Sequence, residues 1–397
     1  MIPELIGKPL PRKEDPEILR GEARYISDVS AVGMLYAKVV RSPMAHARIL
    51  SIDKNQALEL EGVEAVFDAQ DLGSAQRHLG SFGQFPPPIL EKWNPRICPA
   101  PVTTLAKDKV RYVGEPVAIV IARDKYLAED AMELVDVDYE PLDAVTQVEQ
   151  ALREDAPLLH ETDECLEVMK NEPWRSWCSS KNQWSESGEY QERWDRNTAL
   201  DMNVSIGDAD AEFDRAAHVV TEHYASHRYT GVPLEGRGIL AIPDSEGPGM
   251  MVWSSHQIPY FHRALIAESL DIPVDEIRVA QPYLGGGFGP KAGIYGEDVL
   301  IPFAAKTLNR PVKWLEDKRE HLQASSHSRE QQFDAEMALD EEGRILGIRY
   351  SVLLDVGAFL TFPVVLPYLG MCHVLGPYRV PSFGARIRSV YTNKASA

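Results

Sequence analysis

The feature that most constrains the fold of this chain is a glycine-rich stretch, Gln281-Pro-Tyr-Leu-Gly-Gly-Gly-Phe-Gly-Pro-Lys291. Glycine occupies four of the five positions from Gly285 to Gly289. Because glycine loses more backbone entropy on folding than any other residue, the cluster indicates positive φ angles or close backbone approach. Successive exposed amides form a concave anion-binding surface, and Lys291 adds a positive charge. The stretch predicts either a backbone cradle for an anionic cofactor or a tight turn at the corner of a sheet.

The remaining sequence pattern predicts an α+β fold. Runs of β-branched and aromatic residues predict strands, and apolar residues at helical spacing predict helices. The predicted strands cover residues 35–41, 47–53, 63–67, 115–122, 135–139, 219–224, 238–242, 250–254, 277–281, 312–316, 333–339, 345–354 and 386–391. The predicted helices cover residues 126–134, 209–216, 259–270 and 297–308, and a long proline-rich loop is expected over residues 73–104.

Changes in composition divide the chain into four segments. Residues 1–15 begin a polar, proline-containing stretch that reaches residue 20 and predicts an extended lead-in. Residues 16–150 predict an α/β domain, and residues 206–397 predict a second domain. Between them, residues 151–205 predict a linker that contains Trp174, Trp177, Trp184 and Trp194. We expect these tryptophans to dock on a neighbouring surface, with substrate contact as the alternative.

Charge and cysteine content exclude several classes of protein. The net charge of −19 argues against a nucleic-acid partner or an anionic membrane surface, since both require a basic face. The four cysteines form no C-x-x-C pair, which argues against an all-cysteine metal site and is typical of a reduced cytoplasmic protein. The first residues lack a signal-peptide pattern. No apolar run reaches the roughly 18 residues that a membrane span needs.

Two kinds of cofactor could use the glycine stretch. A dinucleotide in a Rossmann crossover fits the order of strand 277–281, glycines, helix 297–308 and a strand ending at Glu316-Asp317. That order supports an NAD-dependent dehydrogenase as one hypothesis. However, Pro290 and residues 291–296 separate the glycines from the helix, whereas the Rossmann glycines lead straight into it.

The second kind of cofactor is supported by motifs along more of the chain. In the N-terminal domain, three motifs carry this agreement: Gly21-Glu-Ala-Arg-Tyr-Ile-Ser-Asp28, Arg41-Ser-Pro-Met-Ala-His-Ala-Arg-Ile49 and Val110-Arg-Tyr-Val-Gly-Glu-Pro-Val-Ala118. Further motifs are Gly207-Asp-Ala-Asp-Ala-Glu-Phe213, Pro233-Leu-Glu-Gly-Arg237, Trp253-Ser-Ser-His-Gln257 and the glycine stretch. With these motifs the chain resembles the large, molybdenum-cofactor-binding subunit of the xanthine dehydrogenase, aldehyde oxidase and carbon monoxide dehydrogenase family. The resemblance covers nearly all of the 397 residues.

The resemblance implies an α/β-hammerhead domain over residues 16–150. It also implies a first molybdopterin-binding domain over residues 206–397, which we expect to be incomplete at its C-terminal end. The implied activity is that of a molybdenum hydroxylase large subunit: oxidative hydroxylation of an aldehyde or an N-heterocycle, with water as oxygen donor. The implied cofactor is molybdenum-molybdopterin, in its cytosine dinucleotide form. FAD and [2Fe-2S] clusters are expected on partner chains, an FAD-binding subunit and an iron–sulfur subunit.

Five residues match the cofactor-binding positions of that family. Gln257 matches the glutamine whose side-chain amide hydrogen-bonds an oxo ligand of the molybdenum, and an amide can donate such a bond without titrating. Gly286, Gly287, Phe288 and Gly289 match the loop that lies against the cofactor. The resemblance implies that Phe288 packs near the metal and excludes water. It also implies structural support from Glu235 and Arg237.

Three departures from the family pattern affect the expected function. The family's Met-Glu-Pro-Arg motif is Leu234-Glu-Gly-Arg237 here. The glutamate that binds purines in some members is Ala292 here, which argues against that mode of binding. No residue matches the family's catalytic glutamate, so we expect no catalytic residue in this chain. We therefore expect either a subunit divided between two polypeptides or a truncated product, and a non-catalytic remnant or scaffold is the alternative to an enzyme.

Histidines provide only weaker candidates. His223 and His227 lie in a strand-like region, where residues four apart are too distant for easy chelation, so we expect no metal site. His256 precedes Gln257 and either lines a pocket or is simply packed.

Overall fold

The computed structural model describes residues 6–79, 93, 95–100, 102–161, 164, 165, 168, 196–361, 369–371 and 373–397. Within these ranges the fold is mixed α+β, as the sequence pattern predicts. The tryptophan-containing stretch, with Trp174, Trp177, Trp184 and Trp194, lies outside the described residues.

The helices and strands of the N-terminal part are α1 (Asp15–Leu19), β1 (Leu35–Arg41), β2 (Ala47–Asp53), α2 (Asn55–Glu59), β3 (Val63–Asp68), β4 (Arg96–Ile97), β5 (Lys109–Val110), β6 (Pro116–Ala122), α3 (Lys125–Glu133), β7 (Asp136–Pro141) and α4 (Val148–Ala151). Those of the C-terminal part are β8 (Thr198–Ile206), α5 (Ala209–Asp214), β9 (His218–Ser226), β10 (Gly238–Pro243), β11 (Met250–Ser254), α6 (Pro259–Leu270), β12 (Ile277–Ala280), α7 (Glu297–Leu308), β13 (Val312–Leu315), α8 (Lys318–Ala324), β14 (Gln331–Leu339), β15 (Ile345–Gly357) and β16 (Ser382–Tyr391).

A seven-stranded sheet, in the order β12-β11-β10-β13-β1-β6-β3, joins the two predicted domains. Its strands β1, β3 and β6 come from the N-terminal part, and β10 to β13 come from the C-terminal part. The join is a parallel pairing of β1 with β13, in which Leu35 lies opposite Val312. One apolar core contains Leu35, Ile119, Val299 and Trp314, so both parts of the chain bury residues together.

A six-stranded sheet, in the order β4-β8-β16-β15-β14-β9, follows the register expected for one buried and one polar face. Phe383, Ile387, Ile348 and Val352 are buried on the apolar face. Strand β9 is one of the two edge strands, and all nine of its residues are exposed. A third sheet of three strands has the order β5-β2-β7.

Two local expectations are corrected by the structure. Residues 15–19 form a helical turn rather than an extended stretch, with a proline in its first turn, where a missing amide hydrogen costs nothing. Strand β8 lies in the stretch predicted as a linker, and it pairs with β16 and β4. The sequence signal was present, because Leu200, Met202 and Val204 alternate with polar residues as in a strand with one buried face.

Candidate cofactor-binding site

The glycine loop, which we define as residues 281–291, follows the edge strand β12 of the seven-stranded sheet. A short 3₁₀ turn over Pro290–Ala292 ends it, and α7 begins only at Glu297. Strands β12 and β13 are separated in the sheet by β11 and β10. A Rossmann crossover places its glycines directly at a helix N-terminus, so this arrangement does not support the dinucleotide alternative.

Gln257 lies against the glycine loop, at the point where the chain leaves β11 and enters α6. Its backbone amide donates to the carbonyl oxygen of Lys291 at 2.8 Å. Its side-chain Oε1 accepts a hydrogen bond from the backbone N–H of Gly289 at 3.0 Å. Because a backbone N–H can only donate, this bond fixes the orientation of the side-chain amide. The Nε2 group of Gln257 is therefore the end that remains available as a donor.

Close contact with Gln257 explains the glycine at position 287. A Cβ atom on Gly287 would lie 2.6 Å from both Cδ and Oε1 of Gln257. The next residue upstream, Gly286, has a φ of +96°, a region that residues with a side chain rarely adopt. The local geometry therefore requires glycine at position 287 because of the contact with Gln257, and at position 286 because of the positive φ.

Three consecutive backbone amides of the loop have no acceptor in the described protein. Gly285 and Gly289 donate to the side chains of Glu235 and Gln257. The amides of Gly286, Gly287 and Phe288, which lie between them, donate to none of the described residues. Successive backbone N–H groups of this kind suit an oxygen-rich or anionic ligand. Together with Nε2 of Gln257, they make a donor surface that fits a phosphate- or oxo-bearing cofactor.

Phe288 is 76% exposed, with a φ of +56°. Its ring lies beside Gly286, where an added Cβ would approach the ring to 2.7 Å. Within the described residues the ring therefore excludes no water. The role that the resemblance implies for Phe288 remains a proposal that requires a ligand or a further polypeptide over the ring.

Lys291 does not supply a free positive charge to the loop, contrary to the expectation from the sequence. Its side chain is fully buried, and Nζ donates to Oε2 of Glu235 at 2.7 Å. Burial lowers the pKa of Lys291, and the carboxylate of Glu235 opposes this shift. Any attraction of an anion to this loop must therefore come mainly from amide groups.

Behind the loop, Arg237 is the centre of a buried ionic network. Its guanidinium lies 2.6 Å from Glu316 and 3.5 Å from Glu297, and its Cζ lies 3.6 Å from the centre of the Tyr295 ring. Burial opposes the charged form, but the two carboxylates hold the pKa of Arg237 well above its ordinary value. Burial likewise opposes ionisation of Glu316, yet Arg237 and His321 lower its pKa.

Sequence reasoning identified Arg237 and Glu235 only as support and did not identify their partners. Glu297 and Glu316 looked like ordinary helix and strand ends, because a single sequence contains no signal that pairs residues so far apart. Their burial, at 2% and 8% exposure, is what distinguishes them.

The histidines behave as packed residues. His256 is buried, its Nε2 lies 3.1 Å from the Gly293 carbonyl oxygen, and its ring stacks on His262 at 4.8 Å. His223 lies 2.8 Å from Asp334 on the exposed strand β9. Among the described residues, no group of three or more histidine, cysteine, aspartate or glutamate side chains is arranged to hold a metal ion. In the same part of the chain, no helix is long and apolar enough to cross a membrane.

The donor surface fits an oxygen-rich ligand. Two family models match the chain. The model described as "Molybdopterin cofactor-binding domain" matches residues 190–397. The model described as "Aldehyde oxidase and xanthine dehydrogenase, a/b hammerhead domain" matches residues 20–143.

Individual relatives agree with these models. The chain is 35% identical over 398 aligned positions to the 6-hydroxypseudooxynicotine dehydrogenase complex subunit gamma of Paenarthrobacter nicotinovorans, covering 98% of this chain and 44% of that protein. The structure of the reconstituted CO dehydrogenase from Oligotropha carboxidovorans is similar at a TM-score of 0.81 and 34% identity, over 98% of this chain and 45% of that one. The nicotinate dehydrogenase large molybdopterin subunit of Eubacterium barkeri is 28% identical, over 98% of this chain and 80% of that protein.

The chain belongs to the xanthine dehydrogenase, aldehyde oxidase and carbon monoxide dehydrogenase family of molybdopterin-dependent oxidoreductases, and it contains the hammerhead and molybdopterin cofactor-binding domains of the large subunit. It spans less than half the length of the first two of these relatives and four fifths of the third.

Proposed function

We propose that the glycine loop and Gln257 hold a molybdenum-molybdopterin cofactor. One observation carries this proposal: the amides of Gly286, Gly287 and Phe288 and Nε2 of Gln257 form one cluster of donors without acceptors in the described protein. Gln257 donates from Nε2 to an oxygen of the cofactor, and its Oε1 stays bonded to Gly289. The three backbone amides contact the cofactor next to it. Phe288 covers the site from water once the cofactor and further polypeptide lie over its ring.

The bound cofactor supplies two-electron redox chemistry, and the proposed reaction is the oxidative hydroxylation of an aldehyde or an N-heterocycle with water as oxygen donor. The chain's own contribution is to orient the cofactor with uncharged donors that do not titrate. Support for a heterocyclic substrate comes from the two relatives named as nicotinate and 6-hydroxypseudooxynicotine dehydrogenases. Ala292 argues against a purine bound through a glutamate at that position.

We also propose that the catalytic glutamate lies outside residues 1–397. Among the described residues, no carboxylate is hydrogen-bonded to the donor cluster, and the neighbouring Glu235 already accepts from Lys291 and Gly285. An iron–sulfur subunit and an FAD-binding subunit complete the proposed complex. The cytosine dinucleotide form of the cofactor and a cytoplasmic location remain predictions.

The test is to co-express the chain with its neighbouring reading frames, purify the complex and measure molybdenum and pterin per chain. We expect both in near-stoichiometric amounts, together with oxidation of an N-heterocycle. A well-folded complex without molybdenum and pterin would contradict the proposal and favour a non-catalytic remnant. Binding of a nicotinamide dinucleotide to the chain, measured by calorimetry, would instead favour the dehydrogenase alternative.

A further inference from the structure

A single carboxylate, that of Glu235, connects three separate segments behind the glycine loop. Its Oε2 accepts hydrogen bonds from the backbone N–H of Gly285 at 2.8 Å and from Nζ of Lys291 at 2.7 Å. Its Oε1 accepts from the backbone N–H of Ile26 at 3.2 Å. Gly285 is the first glycine of the glycine loop and Lys291 is its last residue, so one side chain holds the loop on both sides of the glycine cluster. Ile26 belongs to the N-terminal part of the chain, which places that part in contact with the loop.

Packing around Glu235 leaves little freedom for the loop to shift. A Cβ on Gly285 would lie 2.5 Å from Cβ of Glu235, so the two backbones approach each other closely. The backbone N–H of Glu235 also donates to the carbonyl oxygen of Gly285 at 3.3 Å. The side chain of Glu235 is only 12% exposed, and that of Lys291 is not exposed at all.

Lys291 transmits this constraint to Gln257. Its side chain is held by Glu235, and its backbone carbonyl accepts the amide hydrogen of Gln257 at 2.8 Å. The backbone position of Gln257 is thus defined by the same ion pair that defines the loop. A buried lysine without a counter-ion is costly, so the buried position of Lys291 depends on Glu235.

We propose that Glu235 and Lys291 are positioning residues that set the distance between the three free loop amides and Nε2 of Gln257. This proposal rests on the proposed function, since the groups being positioned are those that would contact the cofactor. Neither residue contacts the cofactor itself. The contact of Glu235 with Ile26 makes the geometry of the donor cluster depend on the N-terminal part of the chain. Misplacement of reacting groups by about 1 Å can reduce a rate by about 100-fold, so a small movement is enough to be measured.

The experiment compares Glu235→Gln with Glu330→Gln. Glu330 is a matched control, since its carboxylate lies 2.6 Å from Nζ of Lys394 and is similarly part-buried, but it contacts neither the loop nor Gln257. Hydrogen exchange of the Gly285 and Gly289 amides is measured first, on the full chain without cofactor. Molybdenum content and the separate values of kcat and KM are then measured on the co-expressed complex.

We expect Glu235→Gln to raise exchange at Gly285 and Gly289 about tenfold, because the charge-assisted bonds to the carboxylate are about twice as strong as those to an amide. We expect molybdenum content and kcat to fall with KM unchanged, and Glu330→Gln to change none of these. Unchanged exchange in Glu235→Gln, or equal effects in both variants, would overturn the positioning role. Raised exchange with full molybdenum content and full kcat would support the role of Glu235 in positioning the loop, but it would contradict the proposal that the loop holds the cofactor.

A double variant protects the test against simple unfolding. Glu235→Leu combined with Lys291→Met replaces the buried pair by apolar side chains of similar size, an exchange that is often neutral for stability. The double variant still removes the acceptor for Gly285 and Ile26. We therefore expect a folded chain with raised exchange at Gly285, and normal exchange there would overturn the proposal.

Discussion

The two sides of the glycine loop differ in how their polar groups are satisfied. Behind the loop, Lys291, Glu235, Arg237 and Glu316 are buried or nearly so, and each has a partner of opposite charge within 2.7 Å. In front, the three amides from Gly286 to Phe288 and Nε2 of Gln257 have no partner among the residues that the structure describes. The rear side constrains the loop through ion pairs, and the front side has the donors that we propose bind a ligand.

This difference is what a preorganised binding site requires. Donors that already point in fixed directions do not have to reorganise when a ligand arrives, and their orientation depends on the groups that support them. A glycine-rich turn at a sheet corner would need neither the Gln257 contact nor a buried ion pair behind it. Changes on the rear side should therefore lower stability, and changes on the front side should lower ligand binding while the fold is retained.

The largest effect is expected from Arg237→Met on the rear side. This change breaks the buried pair with Glu316, which keeps only His321 beside it, while Glu297 keeps its ion pair with Arg41. Breaking a buried pair in this way costs about 3–5 kcal/mol. Urea unfolding monitored by circular dichroism measures the free energy of unfolding. Arg263→Met is the control, because Arg263 forms no hydrogen bond or ion pair with the described residues. Similar losses in both variants would show that the network does not stabilise the loop from behind.

On the front side, Gln257→Glu tests the donor alone. The carboxylate still accepts the Gly289 N–H, but the donor at Nε2 is lost. Removing one such donor typically lowers kcat by about 100- to 1,000-fold, and we expect this loss in the co-expressed complex with normal unfolding stability. Gln257→Met removes the same donor without adding charge, so it separates the loss of the donor from the effect of a new negative charge. The control is Gln56→Glu, on the exposed surface of α2. An unchanged kcat in both Gln257 variants would exclude the proposed role of Gln257 as a donor.

A pH dependence is expected from His262, which stacks on His256 behind the loop. Burial lowers the pKa of His262 from 6.5 to about 4. The unfolded chain therefore binds a proton at pH values where the folded chain does not. Stability from this group is complete above about pH 6.5 and decreases as the pH falls towards 4, by roughly 1.4 kcal/mol per pH unit. His262→Gln should lower the slope by the share of this one group, because burial also lowers the pKa values of His160 and His327 to about 4. An unchanged slope in His262→Gln would contradict the prediction.

The smallest effect on stability is expected from Gly287→Ala. Its φ is not positive, so alanine is allowed by the backbone, but the new Cβ would displace the Gln257 side chain. We expect a loss of about 1 kcal/mol or less, because the new Cβ meets side-chain atoms of Gln257 rather than backbone, together with a clear loss of molybdenum. Gly247→Ala is the matched control, since a Cβ there would meet only ordinary contacts with Asp244. Equal molybdenum content in both variants would show that the contact with Gln257 is not needed.

Much of this fold could be predicted from the sequence. Strands β1 and β2 and helices α6 and α7 lie where the residue pattern predicts them, because strand-forming runs and apolar residues at helical spacing are visible locally. The shared seven-stranded sheet could not be predicted. It depends on the pairing of β1 with β13, and a single sequence contains no signal for a contact between residues so far apart.

In the candidate site, too, only features that are local in the sequence could be predicted. Motifs identified Gln257 and the loop glycines, since they are local and rich in unusual residues. The sequence does not show which residue pairs with Lys291. The prediction that the positive charge of Lys291 serves the ligand was therefore wrong. Only the folded chain shows that Glu235 neutralises it.

The most direct test of the account is residue-resolved hydrogen exchange of the glycine loop, measured with and without the cofactor in the co-expressed complex. We predict that the amides of Gly286, Gly287 and Phe288 exchange at least about tenfold more slowly when the cofactor is bound, since a new hydrogen bond must open before exchange. Gly285 and Gly289, which already have protein acceptors, should change little. Equal exchange of the three central amides in both states would contradict the claim that they hold the cofactor.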